Sequence, residues 1–112
     1  MKSIELTSEN FDQTLADATT PVLVDFHASW CGPCKMLSPV LEQVAEAKEG
    51  EAIVAKVDID AAREIAQRFK ITTIPTLIVF KDGRPVVRAQ GMQSRSAIES
   101  MIDEAGSTAA IA

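Results

Sequence analysis

Apolar positions along the chain follow two periods, one of about two residues and one of about 3.6, and the two alternate. Residues 3–6 read as a short first strand. Thr7 or Ser8 stands where a helix cap is wanted, ahead of a helix to about Ala18 with Phe11, Leu15 and Ala18 on one face. Thr19-Thr20-Pro21 breaks that helix. Val22-Leu23-Val24-Asp25-Phe26-His27 then reads as a strand with both faces largely apolar, the pattern of a central, covered strand. Residues 28–33 form a loop leading into a helix that runs to about Lys48, with Leu37, Val40, Leu41 and Val44 inward. Pro39 lies inside it and is expected to kink it without ending it, because the apolar period resumes afterwards. Gly50 closes the element.

Residues 53–57 form the next strand, and residues 61–69 a short helix with Ile65, Ala66 and Phe69 inward. Thr76-Leu77-Ile78-Val79-Phe80 is the plainest strand of the chain. Lys81-Asp82-Gly83-Arg84 turns it back into a partner strand over residues 86–90, with Pro85 suited to a sheet edge. Ser94 can cap a last helix to about Ala105, carrying Ile98, Met101, Ile102 and Ala105 inward and closed by Gly106. Residues 107–112 read as a frayed tail. The order is βαβαβαββα. Its βαβ units call for parallel strands with right-handed crossovers, and the closing hairpin adds antiparallel ones. The expected fold is α/β: one mixed five-stranded sheet flanked by four helices, a single domain over residues 1–112.

Composition narrows the function. At 112 residues with 46% hydrophobic and 24% charged, the chain has an ordinary globular balance and enough length for one core. A net charge of −5 with no basic cluster speaks against a nucleic-acid partner. No apolar run approaches the roughly 18 residues of a membrane span. The first residues hold one cation and then acids, without the apolar region of a secretory signal, so a cytoplasmic location is expected. The 2 cysteines are too few for a disulfide scaffold, and with a single His they leave no ordinary zinc site, so no metal is expected.

The two cysteines fall in Trp30-Cys31-Gly32-Pro33-Cys34-Lys35, where a central strand hands over to a helix. A helix N-terminus has free N–H groups and a positive dipole end, which favour an anion. A Cys31 thiolate would be that anion, and it is a nucleophile. Pro33 suits a first helical turn. Cys34, one turn on, is expected to be the more buried and to act as the resolving thiol. The bond between them would close a very small ring, better suited to cycling than to stapling. Asp25 interrupts an apolar strand. Buried, it would hold its proton and could exchange it with Cys34; the other reading is a partly exposed acid at a strand end. Ile74-Pro75-Thr76 precedes the plainest strand, and Pro75 taken alone is a strand-start proline.

Taken together, Val24-Asp25-Phe26, the Trp30-to-Lys35 motif, Pro39, Ile74-Pro75-Thr76, Asp82-Gly83 and Gly91 resemble the thioredoxin family, from about Leu6 to Ala105. The W-C-G-P-C core differs from the C-P-Y-C of glutaredoxins and the C-G-H-C of disulfide isomerases. The resemblance implies the thioredoxin fold with its additional N-terminal strand and helix. It implies that Cys31 attacks a protein disulfide and that Cys34 resolves the mixed disulfide. It implies that Asp25 is a buried acid with Lys56 as its nearby cation, and that Pro75 is cis and packs against the sulfurs. The implied client surface comprises Trp30, Gly32, Pro33, Ile59, Ile74, Pro75, Gly91 and Met92. Thioredoxin reductase and NADPH would restore the dithiol, with no bound cofactor. Two positions depart from the family pattern: His27 stands where Trp is frequent, and Thr73 where Gly is frequent. His27 is either a space-filling ring or a charge that tunes the thiolate.

The expected function is therefore thiol–disulfide oxidoreduction by a monomeric protein-disulfide reductase acting on disulfide-bearing client proteins. A disulfide isomerase or oxidant is the rival within enzymes. A thioredoxin-like binding subunit of a larger assembly is the rival outside them.

Overall fold

The computed structural model describes residues 2–108. Nine elements follow one another: β1 (Ile4–Leu6), α1 (Phe11–Asp17), β2 (Val22–His27), α2 (Gly32–Ala47), β3 (Ile53–Asp58), α3 (Arg63–Arg68), β4 (Thr76–Lys81), β5 (Arg84–Gln90) and α4 (Arg95–Thr108). The five strands form one sheet in the order β1-β3-β2-β4-β5. β3 pairs in parallel with both β1 and β2, while β2–β4 and β4–β5 are antiparallel. The mixed sheet and the four flanking helices are those expected.

Alternation along the strands sorts side chains into two cores. Leu23, Val54, Leu77 and Val79 meet Leu37, Leu41 and Val44 of α2 and Ile98, Met101 and Ile102 of α4. Val22, Val24, Phe26, Ala55, Val57, Ile78 and Phe80 meet Phe11 and Leu15 of α1 and Ile65 of α3 on the other face. Both faces of β2 and β4 are thus covered, which is why these strands read as unbroken apolar runs.

Several boundaries differ from the sequence reading. α1 begins at Phe11 instead of after Thr7 or Ser8: Asn10 Oδ1 accepts the Thr7 N–H at 2.7 Å, and the Thr7 carbonyl accepts the Asn10 and Phe11 N–H groups, which makes a turn of residues 7–10. α3 starts at Arg63, two residues later than expected. β5 starts at Arg84, and Pro85 sits at a register shift opposite Phe80. Pro39 lies within α2 without ending it. α4 continues past Gly106 to Thr108, so the expected tail shrinks; residues 109–112 lie outside the described residues. The hairpin turn is as expected, with Asp82 at φ 54° and Gly83 at φ 78°.

Candidate active site

The site is built where β2 ends. Its last residue, His27, accepts the Ile59 N–H through its carbonyl at 2.9 Å, and Ala28 accepts the Cys31 N–H at 3.2 Å. These bonds fold the loop so that Cys31 takes the N-cap of α2, with Pro33 in the first turn. The Cys31 Sγ accepts the Cys34 N–H at 3.2 Å. Cys31 and Cys34 are joined as a disulfide, with their Cα atoms 5.3 Å apart. Both are buried, and burial hardly distinguishes them at 5% and 4% exposure, although Cys34 was expected to be the more shielded. What separates them is position. Cys31 holds the helix end, whereas Cys34 lines a cleft of about 190 Å³ with Asp25, His27, Ala28, Ser29, Lys35, Ser38 and Lys56.

Asp25 is buried, and neither carboxylate oxygen has a hydrogen-bond partner. Of the two readings left open, the buried acid is the one observed. Burial pushes its carboxyl up to about 7, opposed by the Lys56 ammonium and reinforced by the Glu5 carboxylate. Lys56 faces Asp25 across the β2–β3 register and donates to Ser38 Oγ.

Around the sulfurs, Ile59 and Ile74 pack against Ala28, Cys31 and Cys34. The Ile74–Pro75 bond is cis, and the buried Pro75 accepts the Gly91 N–H through its carbonyl at 2.8 Å. Gly91 sits at φ 83°, a conformation that side chains with a Cβ rarely adopt. Trp30 and Met92 are exposed, and Gly32 leaves open space where a Cβ would stand. Thr73 is also exposed, and its carbonyl accepts the Thr76 hydroxyl.

Four contributors were not singled out from the sequence. Asp60 Oδ2 accepts the Trp30 indole N–H at 2.7 Å, Ser38 holds Lys56, and Glu5 acts on Asp25 from β1. Ala28 lies under the sulfurs. Ser38 alone carried a usable signal, since it lies one helical turn beyond Cys34. Among the described residues, no His, Cys, Asp and Glu cluster suited to a metal ion occurs, and no helix is long and apolar enough to cross a membrane.

The thioredoxin family model matches residues 2–104. A thioredoxin of Mycobacterium tuberculosis is 46% identical over 96 residues, covering 86% of this chain and 83% of that protein. A thioredoxin of Staphylococcus haemolyticus is 42% identical over 104 residues, covering 93% and 98%. A bifunctional thioredoxin reductase/thioredoxin of Mycobacterium leprae is 44% identical over 96 residues, covering 86% of this chain and 21% of that protein.

Proposed function

This chain belongs to the thioredoxin family, and on that premise we propose the part each site residue plays in its activity. It is a thiol–disulfide oxidoreductase that reduces protein disulfides through its Cys-x-x-Cys pair. The Cys31 thiolate attacks one sulfur of a client disulfide, the client S–S bond breaks, and the other client sulfur leaves as a thiolate. The Cys34 thiol then gives its proton to the Asp25 carboxylate and attacks the Cys31 sulfur of the mixed disulfide. The second client thiolate leaves, two electrons have passed to the client, and Cys31–Cys34 is a disulfide.

Placement of Cys31 at the N-cap of α2, with its sulfur on the Cys34 N–H, is the observation that carries this assignment. A buried acid beside Cys34 in one cleft supports Asp25 as its proton acceptor, with Lys56 holding the carboxylate when it forms. Trp30, Gly32, Pro33, Ile59, Ile74, Pro75, Gly91 and Met92 form the rim that a client strand meets.

Thioredoxin reductase and NADPH are the electron source in this reading, a pairing supported by the relative that carries both names in one chain. The chain works as a cytoplasmic monomer of one domain, where a reducing milieu keeps the pair cycling. Both sheet faces are covered by the chain's own helices, and Trp30 and Met92 of the client rim are two of the few large apolar side chains left exposed among the described residues.

Insulin reduction driven by NADPH and thioredoxin reductase tests the assignment. Cys31→Ser is expected to lose the activity. Cys34→Ser is expected to attack insulin and stay bound to it as a mixed disulfide that dithiothreitol releases. Trapping by Cys31→Ser instead would reverse the two roles, and complementation of a deletion by the Cys31→Ser, Cys34→Ser double variant would make the chain a binding subunit.

A further inference from the structure

His27 lies two residues beyond Asp25 in β2, so both side chains leave the sheet on the face that α2 covers. The register places Glu5 beside Lys56, Lys56 beside Asp25, and Asp58 beside His27. A polar strip of Glu5, Lys56, Asp25, Asp58 and His27 thus crosses three strands. From α2, Lys35 and Ser38 face the cleft that Asp25 and His27 line, and β4 sets only Leu77 opposite Asp25. Within the strip, the His27 Nε2 is buried without a hydrogen-bond partner, and it stands 3.8 Å from the Glu5 Oε2. The chain just before β1 is tied to α2. The Lys2 and Ser3 N–H groups donate to the Glu42 Oε1 of α2 at 3.0 and 3.1 Å.

We propose that Glu5 and His27 form a positioning pair that sets the pH at which Asp25 exchanges its proton. The proposal rests on the reading of Asp25 as acceptor of the Cys34 proton. A Glu5 carboxylate alone favours the protonated form of Asp25. An imidazolium beside Glu5 cancels that field, and a neutral imidazole leaves it in place. An imidazole is also the side chain whose charge ordinarily changes between pH 5 and 8. A cation at position 27, two residues along the same strand face, favours the Asp25 anion, and a neutral ring does not. An indole at position 27 would offer neither charge state. His27 thus adds a ring able to carry charge to the cleft that Cys34 lines.

The test follows the Asp25 carboxyl carbon by NMR from pH 5 to 9 in the oxidised protein, where no thiol titrates. His27→Gln is expected to move the Asp25 midpoint up, and Glu5→Gln to move it down, each by about half a unit or more. Shifts of opposite sign are what a merely structural role would not produce. An unmoved midpoint in both variants overturns the proposal. Should a variant fold poorly, Glu5→Asn and His27→Asn repeat the measurement with shorter amides, and an Asp25 midpoint unmoved in these as well overturns the proposal. Full insulin reduction by Asp25→Asn would remove the acceptor role while leaving these shifts in place, so the two failures can be told apart.

Discussion

Asp25 is buried with neither oxygen hydrogen-bonded, so the charged form is disfavoured in the folded state and not in the unfolded one. Its folded value of about 7 stands above the ordinary aspartate value of about 3.9. The folded state therefore binds this proton more tightly. The stability it confers is fully present below about pH 4, is lost as pH rises through about 7, and changes no further above that. The full span of about 3 units corresponds to about 4 kcal/mol. Asp25→Asn removes the buried charge but leaves a buried amide to satisfy, so at pH 8 it is expected to stabilise the protein by roughly 1–3 kcal/mol. At pH 4 the gain should vanish. Urea midpoints of the oxidised protein at the two pH values measure this, beside insulin turnover, which should fall. A variant less stable at pH 8 with unchanged turnover would contradict both the burial energy and the proton-acceptor role.

Helices α1 and α3 never meet the active cysteines, yet one side chain ties them together. Arg68 at the end of α3 grips both carboxylate oxygens of Asp12 at 2.7 and 3.2 Å, and its guanidinium carbon lies 5.7 Å from the Phe11 ring centre and 5.6 Å from that of Phe69. Arg68→Met keeps an apolar stem but loses the fork and the charge. It is expected to lower stability by about 1–2 kcal/mol with insulin reduction per folded molecule unchanged. Arg68→Lys should recover little, because an ammonium cannot span both oxygens. Recovery to wild-type urea midpoints by lysine would reduce the contact to simple charge pairing. None of these contacts could be read from the chain, since Arg68 and Asp12 are 56 residues apart. The same holds for Glu5 and Asp60, whose roles arise where separate elements meet. By contrast, β2 and β4 were legible because unbroken apolar runs match burial on both faces, and the helix after Pro33 because its apolar period matches its one buried face. Cys31, Cys34 and Asp25 were legible because a reactive pair and a lone acid interrupt otherwise apolar or turn-like surroundings. The start of α1 was not, because Thr7, Ser8 and Asn10 are all good capping residues and only the Asn10 contact to the Thr7 N–H decides among them.

Across the whole molecule, the sheet separates two cores that bear on the chemistry unequally. The core under α1 and α3 centres on Phe11, whose ring meets those of Phe69 and Phe80 at 5.7 and 5.8 Å. The core under α2 and α4 includes Leu37, three residues beyond Cys34 on the helix whose N-terminus holds Cys31. Phe11→Ala and Leu37→Ala each empty a fully buried position, and each is expected to cost about 3–5 kcal/mol. Their effects on reduction should differ. Cavity relaxation around position 11 moves α1 against the sheet and leaves the cluster of Ala28, Cys31, Cys34, Ile59 and Ile74 seated. Relaxation around position 37 shifts α2 itself, and with it the Cys34 N–H that faces the Cys31 sulfur. The comparison is the rate of insulin reduction per folded molecule, at a temperature and osmolyte concentration where both variants are fully folded. Phe11→Ala should retain the wild-type rate and pH profile, whereas Leu37→Ala should be slower, with its alkylation by iodoacetamide after reduction displaced to higher pH as Cys31 loses part of the helix-end stabilisation. Equal rate losses in the two variants would mean that the sheet transmits strain from either core to the cysteines, and that α2 is not the separate mount its position at the N-cap implies.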